Sequence, residues 1–186
     1  MMRHHKTQRG FSLLELMVAV SITGILLAVG VPSFQSTLLK ARATTLADRL
    51  ITAIYYVRSE AISRNTRISL CASRDGSTCE VGAASWNSGW IAIDPADTVI
   101  KTWQINDTNS QVQLLNLTGN VNVNVSQNRL VYNSLGDATM QNTAGAIVNA
   151  TIGFTTQVLG CVGTNQQRIL AISASGRLIV SREDCI

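Results

Sequence analysis

Glu15 is the only charged side chain in the 21 residues from Phe11 to Val31. A carboxylate in such surroundings needs a cation or a proton, because burying it alone costs on the order of 2.5 to 3.5 kcal/mol even in a membrane helix. The run itself contains no cation. One reading of the N-terminus would supply it: a cut between Gly10 and Phe11 would free an α-amino group four residues before Glu15. On that reading, one of three open for this N-terminus, Gly10 and Phe11 flank the cut. The second chemically active set is Cys71, Cys79, Cys161 and Cys185. An even number of cysteines after an export-type segment reads as two disulfides formed in an oxidising compartment. Three pairings are open, of which Cys71–Cys79 with Cys161–Cys185 is the simplest. Zinc is the rival reading, but no C-x2-4-C element is present and no histidine follows His5.

A search for catalytic constellations finds none to build on. His4 and His5 lie before Gly10, so a processed chain has no histidine for a triad or a metal. Lys40 falls in a helical pattern, and Lys101 lies in a strand-like run without a nucleophile motif. No P-loop, G-x-G-x-x-G or paired-carboxylate motif occurs. The N-x-[ST] matches at Asn106, Asn116, Asn124 and Asn149 are expected by chance in a chain this rich in Asn and Thr. Trp86, Trp90 and Trp103 can stack on bases or sugars, but packing in core and turns is the ordinary role of such rings. The expectation is a non-enzyme without cofactor or metal.

Charge limits the partners as well. The formal net charge is +4, yet Arg3, Lys6 and Arg9 all precede Gly10; without them twelve Lys and Arg face eleven Asp and Glu. A near-neutral chain exerts little long-range pull on nucleic acid.

The elements that carry these residues follow from periodicity. A helix over 11–31 rises about 1.5 Å per residue and so spans roughly 30 Å, the thickness of a bilayer's hydrocarbon core. Three kinds of N-terminus compete for it: a cleaved secretory signal with Ala28-Val29-Gly30 as its site, a plain signal anchor with the basic end inside, and a leader cut after Gly10. The first has too long an apolar run, and the second leaves Glu15 unexplained. Gly24 and Pro32 loosen or kink this helix, or Pro32 marks its exit from the membrane. From Ser33 to about Asn65, Leu39, Ala43, Leu46, Leu50, Ile54, Val57 and Ala61 recur at spacings of three and four, with Lys40, Thr44, Asp48, Arg49, Arg58 and Ser59 on the other side. After Arg67 the period falls to two. Strands are expected over 68–72, 89–94, 99–105, 111–117, 121–125, 129–132, 147–154, 168–173 and 177–181, with 121–125 the clearest and turns at Asp75-Gly76, Gly119-Asn120 and Gly136-Asp137. The fold class is α+β. Its expected parts are a leader over 1–10, a transmembrane segment over 11–31, an amphipathic stem over 32–65 and a mainly antiparallel β-domain over 66–186.

Gly10-Phe11-Ser12-Leu13-Leu14-Glu15, between a basic leader and a long apolar helix, resembles the class III signal of type IV pilins and type II secretion pseudopilins. That resemblance implies the type IV pilin fold, in which a membrane-spanning helix lays its C-terminal half on an antiparallel sheet. It also implies a prepilin peptidase as partner, which cuts on the cytoplasmic side and methylates the Phe11 amine. Glu15 then meets the amine of a neighbouring subunit, and other minor and major pilins are contacted through the helix. A second block, Leu70 to Cys79 followed by Trp86-Asn87-Ser88-Gly89-Trp90-Ile91, Asp94 and the late Ser175-Gly176-Arg177-Leu178, resembles the GspH/FimT group, and within it the FimU branch of minor pilins.

The resemblance implies a subunit of the bacterial inner membrane with its β-domain in the periplasm. Its role is that of a low-abundance minor pilin that primes or joins pilus assembly near the tip. Two alternatives share the motifs: the minor pseudopilin H of a type II secretion system, and a FimT-like receptor for DNA uptake. For the receptor, Arg177 and Arg182 are the candidate contacts, with Arg168 and Arg129 completing a patch. The group's Gly-Arg-x-Arg pattern keeps its first arginine at Arg177 but has Ile179 in place of the second.

Overall fold

The computed structural model describes residues 11–80, 86–116, 127–142, 147–148, 152–161 and 164–185. Arg3, His4, His5, Lys6, Arg9 and Gly10 of the expected leader lie outside the described residues, as does the expected strand over 121–125. Two compact units make up the chain, Met1–Leu38 and Leu39–Ile186.

The first unit is the early part of helix α1 (Leu13–Ser63). Leu13, Leu16, Met17, Val20, Ile25 and Leu26 are all exposed, on every side of the helix. A helix apolar all round is at home in a membrane or among other chains. Its few polar residues are satisfied locally: Ser21 donates to the Met17 carbonyl and Thr23 to that of Ala19, each at 2.8 Å. Such bonds let hydroxyls sit in an apolar medium without an orphan donor. Among the described residues no helix is long and apolar enough to cross a membrane. The described side chains of the apolar run end at Ala28, while the helix backbone continues through 29–33.

In the second unit α1 becomes one-sided. Ala43, Leu46, Ala47, Leu50, Ala53, Ile54, Val57 and Ala61 are buried, and Leu39 is half-buried. The face follows the three-and-four spacing of the sequence. Each of Leu50, Ile54 and Val57 contributes on the order of 1.5 to 3 kcal/mol by leaving water.

The strands covering this face are β1 (Ile68–Ala72), β2 (Gly89–Ile93), β3 (Val99–Gln104), β4 (Ser110–Asn116), β5 (Gln127–Tyr132), β6 (Ala138–Asn142), β7 (Ile147–Val148), β8 (Ile152–Val158), β9 (Gln167–Ile172) and β10 (Leu178–Glu183). Among the described residues they form two antiparallel sheets, ordered β3-β2-β1-β5-β6-β7 and β10-β9-β8-β4. Ile68, Leu70, Trp90, Leu130 and Tyr132 of the first sheet and Val112, Phe154, Leu170 and Ile172 of the second share one core with α1. On the far face of the first sheet, Cys71, Ile91 and Ile93 make a small second core with Cys79 and Val99 packed on it. Trp86 and Trp90 are fully buried, Trp86 edge-on to Phe154 at 4.9 Å. Trp103 is half-buried and meets Tyr56 of α1, with Lys101 Nζ 4.5 Å from the centre of the Tyr56 ring. Packing accounts for all three tryptophans.

Two expectations need correction. The single strand expected over 147–154 is two: β7 pairs with β6 in the first sheet, and β8 with β4 and β9 in the second. Strand β6 was not expected, because Ala-Thr-Met-Gln-Asn has neither an apolar run nor clean alternation; its register opposite β5 makes it a strand.

Candidate functional site

Helix α1 begins at Leu13, leaving Phe11 outside the helix and largely exposed. Ser12 sets that boundary. Its Oγ accepts the Glu15 N–H at 3.2 Å, and its carbonyl accepts the Leu16 N–H at 3.2 Å. This is an N-cap, with Glu15 three residues on in the position of a capping-box glutamate. A carboxylate there also faces the positive end of the helix dipole. Ser12 was missed as a positioning residue, although Ser-x-x-Glu before an apolar run is a readable signal. Glu15 is exposed, has no salt-bridge partner among the described residues, and follows Phe11 by four residues. The next cation along the chain is Lys40.

Far along the chain, Cys71 is joined to Cys79 with Cα atoms 5.5 Å apart, and Cys161 to Cys185 at 5.9 Å. The first bridge closes a loop organised around Asp75. The Asp75 carboxylate accepts the Ser77 and Thr78 N–H groups, each at 2.9 Å, and the Thr78 hydroxyl at 2.8 Å. These donors hold its carboxyl well below the usual carboxylate range. The second bridge ties the chain after β10 to the turn after β8, where Asp184 accepts the Asn165 N–H at 2.8 Å.

The four candidate arginines do not form one patch. Arg168 is buried: it donates to the Asn165 and Gln167 carbonyls and, at 3.1 Å, to the Thr44 hydroxyl of α1. It pins β9 to the helix, and burial together with the nearby Arg182 charge lowers its pKa. Its place in a phosphate-binding patch is thereby withdrawn. Arg129 is paired to Asp97 at 2.9 Å. Arg177 and Arg182 are exposed, the first beside the β9–β10 turn and the second on β10 opposite Arg168. Along an extended strand five residues cover roughly 17 Å, and the odd separation turns the two side chains to opposite faces.

Gly176, which precedes Arg177, has a role in the fold. Its φ is +73°, and a side chain there would collide with the Gly136 carbonyl. The turn after β5 and the turn after β9 stack at this point, with Arg58 of α1 donating to the Ser175 carbonyl at 3.2 Å and the Ala138 N–H to the Ala174 carbonyl at 2.8 Å. Among the described residues no cluster of three metal-ligating side chains occurs. A polar groove of about 450 Å³ lies between Arg74, Asn87, Gln104 and Asp107.

Known proteins align with both halves of this description. The family model for type II transport protein GspH matches residues 46–176, and that for the prokaryotic N-terminal methylation motif matches residues 5–31. Prepilin peptidase-dependent protein D of Escherichia coli K12 is 41% identical over 78 residues, 41% of this chain and 46% of that protein. A fimbrial protein of Moraxella nonliquefaciens is 46% identical over 50 residues, 25% of this chain and 32% of that protein. The chain thus spans less than half the length of these curated relatives. The crystal structure of the type IV minor pilin FimU from Pseudomonas aeruginosa PAO1 has a TM-score of 0.47 and 16% identity, covering 76% of this chain and 89% of that one. The minor pseudopilin EpsH of the Vibrio cholerae type 2 secretion system has a TM-score of 0.41 and 13% identity, covering 77% of this chain and 96% of that one. With the GspH model matched over more than half of its residues, from the stem of α1 through β9, the chain belongs to the GspH family.

Proposed function

We propose that this chain is a minor pilin, a low-abundance subunit that primes or joins type IV pilus assembly near the tip. The observation that carries the reading is the conjunction of a methylation motif at the head of a helix that exposes apolar residues on every side of its early part with a GspH-family globular unit in one chain. A prepilin peptidase cuts after Gly10 and methylates the Phe11 amine; the helix over 11–31 then holds the subunit in the bacterial inner membrane, with the β-domain in the periplasm. Glu15 pairs with the amine of a neighbouring pilin. The subunit works by assembly and catalyses no reaction. The family's name, type II transport protein GspH, supports a second reading as a minor pseudopilin of a secretion system.

The DNA-receptor reading loses ground to geometry. Of its four arginines, one is buried and another is ion-paired. Deleting the gene and counting surface pili tests the proposal, alongside secretion of exported enzymes and duplex-DNA binding by the purified full chain. The expected result is reduced piliation with secretion intact, and weak DNA binding at physiological salt. Lost secretion with normal piliation moves the subunit to the pseudopilus. Tight binding that falls steeply with salt, as phosphate contacts require, with normal piliation moves it to uptake.

A further inference from the structure

Strand β10 is the outer strand of its sheet and, among the described residues, pairs on one side only, with β9. An open edge presents unpaired backbone groups, which proteins usually blunt by shortness, bulges or charge. Here the pairing with β9 has no bulge over six residues, and Ile179 and Val180 stand 54% and 45% exposed on the strand.

The backbone decides what can add to this edge. The Arg177 carbonyl accepts the Ser173 N–H at 3.0 Å and so points towards β9. Alternation then turns the N–H and C=O groups of Leu178, Val180 and Arg182 outward. An incoming antiparallel strand hydrogen-bonds only when its own outward residues face these.

For a second copy of β10 that leaves few registers. Centring on Arg182 sets arginine against arginine. Centring on Ser181 places Glu183 opposite Ile179 and joins no opposite charges. Centring on Ile179 leaves Arg182 and Glu183 beyond the paired core. Centring on Val180 sets Arg177 opposite Glu183 at both ends, faces Val180 with its own copy, and brings the two Ile179 side chains into diagonal contact. The Arg177–Glu183 pairs fall at non-hydrogen-bonded sites, where opposed Cβ atoms come within about 4.5 to 5.5 Å.

We propose that β10 is a self-docking edge: two copies of the chain join antiparallel in the register centred on Val180, closed by two reciprocal Arg177–Glu183 pairs. The occupant follows from charge complementarity and from the exposed apolar residues that the same register covers. The proposal does not depend on the pilin reading.

The test is sedimentation of the full chain in detergent micelles, with charge variants of two exposed residues. A strand-sized contact is at the low end of interface sizes, so association is expected at roughly 10 to 100 μM protein. Arg177→Glu and Glu183→Arg each set like charges opposite one another and should raise the dissociation constant at least tenfold. The double variant Arg177→Glu/Glu183→Arg restores opposite charges and should return it to within threefold of the original. Circular dichroism checks that each variant keeps its fold. Association through the apolar part of α1 does not respond to these charges. Monomers throughout, single variants that associate normally, or a double variant as weak as the singles would each overturn the proposal.

Discussion

The carbonyl oxygen of Gly136 occupies the space that a Cβ on Gly176 would need. Two turns 40 residues apart thus stack backbone on backbone, and Gly176 takes a positive φ of +73° to let them. Gly176→Ala should therefore destabilise the protein by at least the 1 to 3 kcal/mol that a strained left-handed residue costs. Thermal unfolding should shift down by about 2 to 4 °C per kcal/mol in a chain of this size. Arg177→Ala, next door but exposed, should stay within about 0.5 kcal/mol of the parent. Equal melting of the two variants would refute the stacking argument.

Glu15 sits at the third position of α1, under the Ser12 cap. Glu15→Val should leave membrane insertion intact or improve it, because a costly carboxylate is removed. Helix onset should survive, since Ser12 keeps its own bond to the residue 15 N–H. Quantitative immunoblots of membranes and of sheared filaments should show normal protein in the first and a large drop in the second. Wild-type amounts in sheared filaments would show that Glu15 has no role between subunits.

The loop between Cys71 and Cys79 lies on the second core formed by Ile91 and Ile93. Closing a loop of this length restrains the unfolded chain by roughly 2 to 3 kcal/mol. Non-reducing peptide mapping should recover Cys71 with Cys79 and Cys161 with Cys185. Mild reductant should lower the unfolding midpoint by the corresponding amount. A Cys71–Cys161 peptide would rule out the local pairing.

Asp75 should make stability pH-dependent on the acid side. Its carboxyl is held below its unfolded value by the Ser77 and Thr78 N–H groups. A depressed carboxyl stabilises the fold above the unfolded pKa, near 3.9, and loses that contribution as pH falls towards the folded value. Asp75→Asn should thus be less stable than the parent at pH 7, and the gap should narrow as the pH drops below about 4. A gap that stays constant from pH 7 to pH 3 would assign the effect to packing and not to ionisation.

Much of this was legible in the chain itself, wherever the signal is local. The amphipathic face from Ala43 to Ala61 could be read because a helix returns every third or fourth side chain to one side. Most strands could be read because a half-buried sheet alternates. The Ser12 cap was legible too, since Ser-x-x-Glu before an apolar run places both ends of the signal within four residues. Relationships across the sheets were not legible. Arg168, Arg177 and Arg182 look alike as residues, yet the antiparallel return of β9 and β10 buries Arg168 under Thr44 and leaves the other two in water. Residues 147–154 show one β pattern, but their strands enter different sheets, because pairing depends on partners that the local sequence does not contain. Gly176 meets Gly136 only when both sheets close over α1. Periodicity determines which face of a segment is buried; which segments meet there is decided by long-range packing.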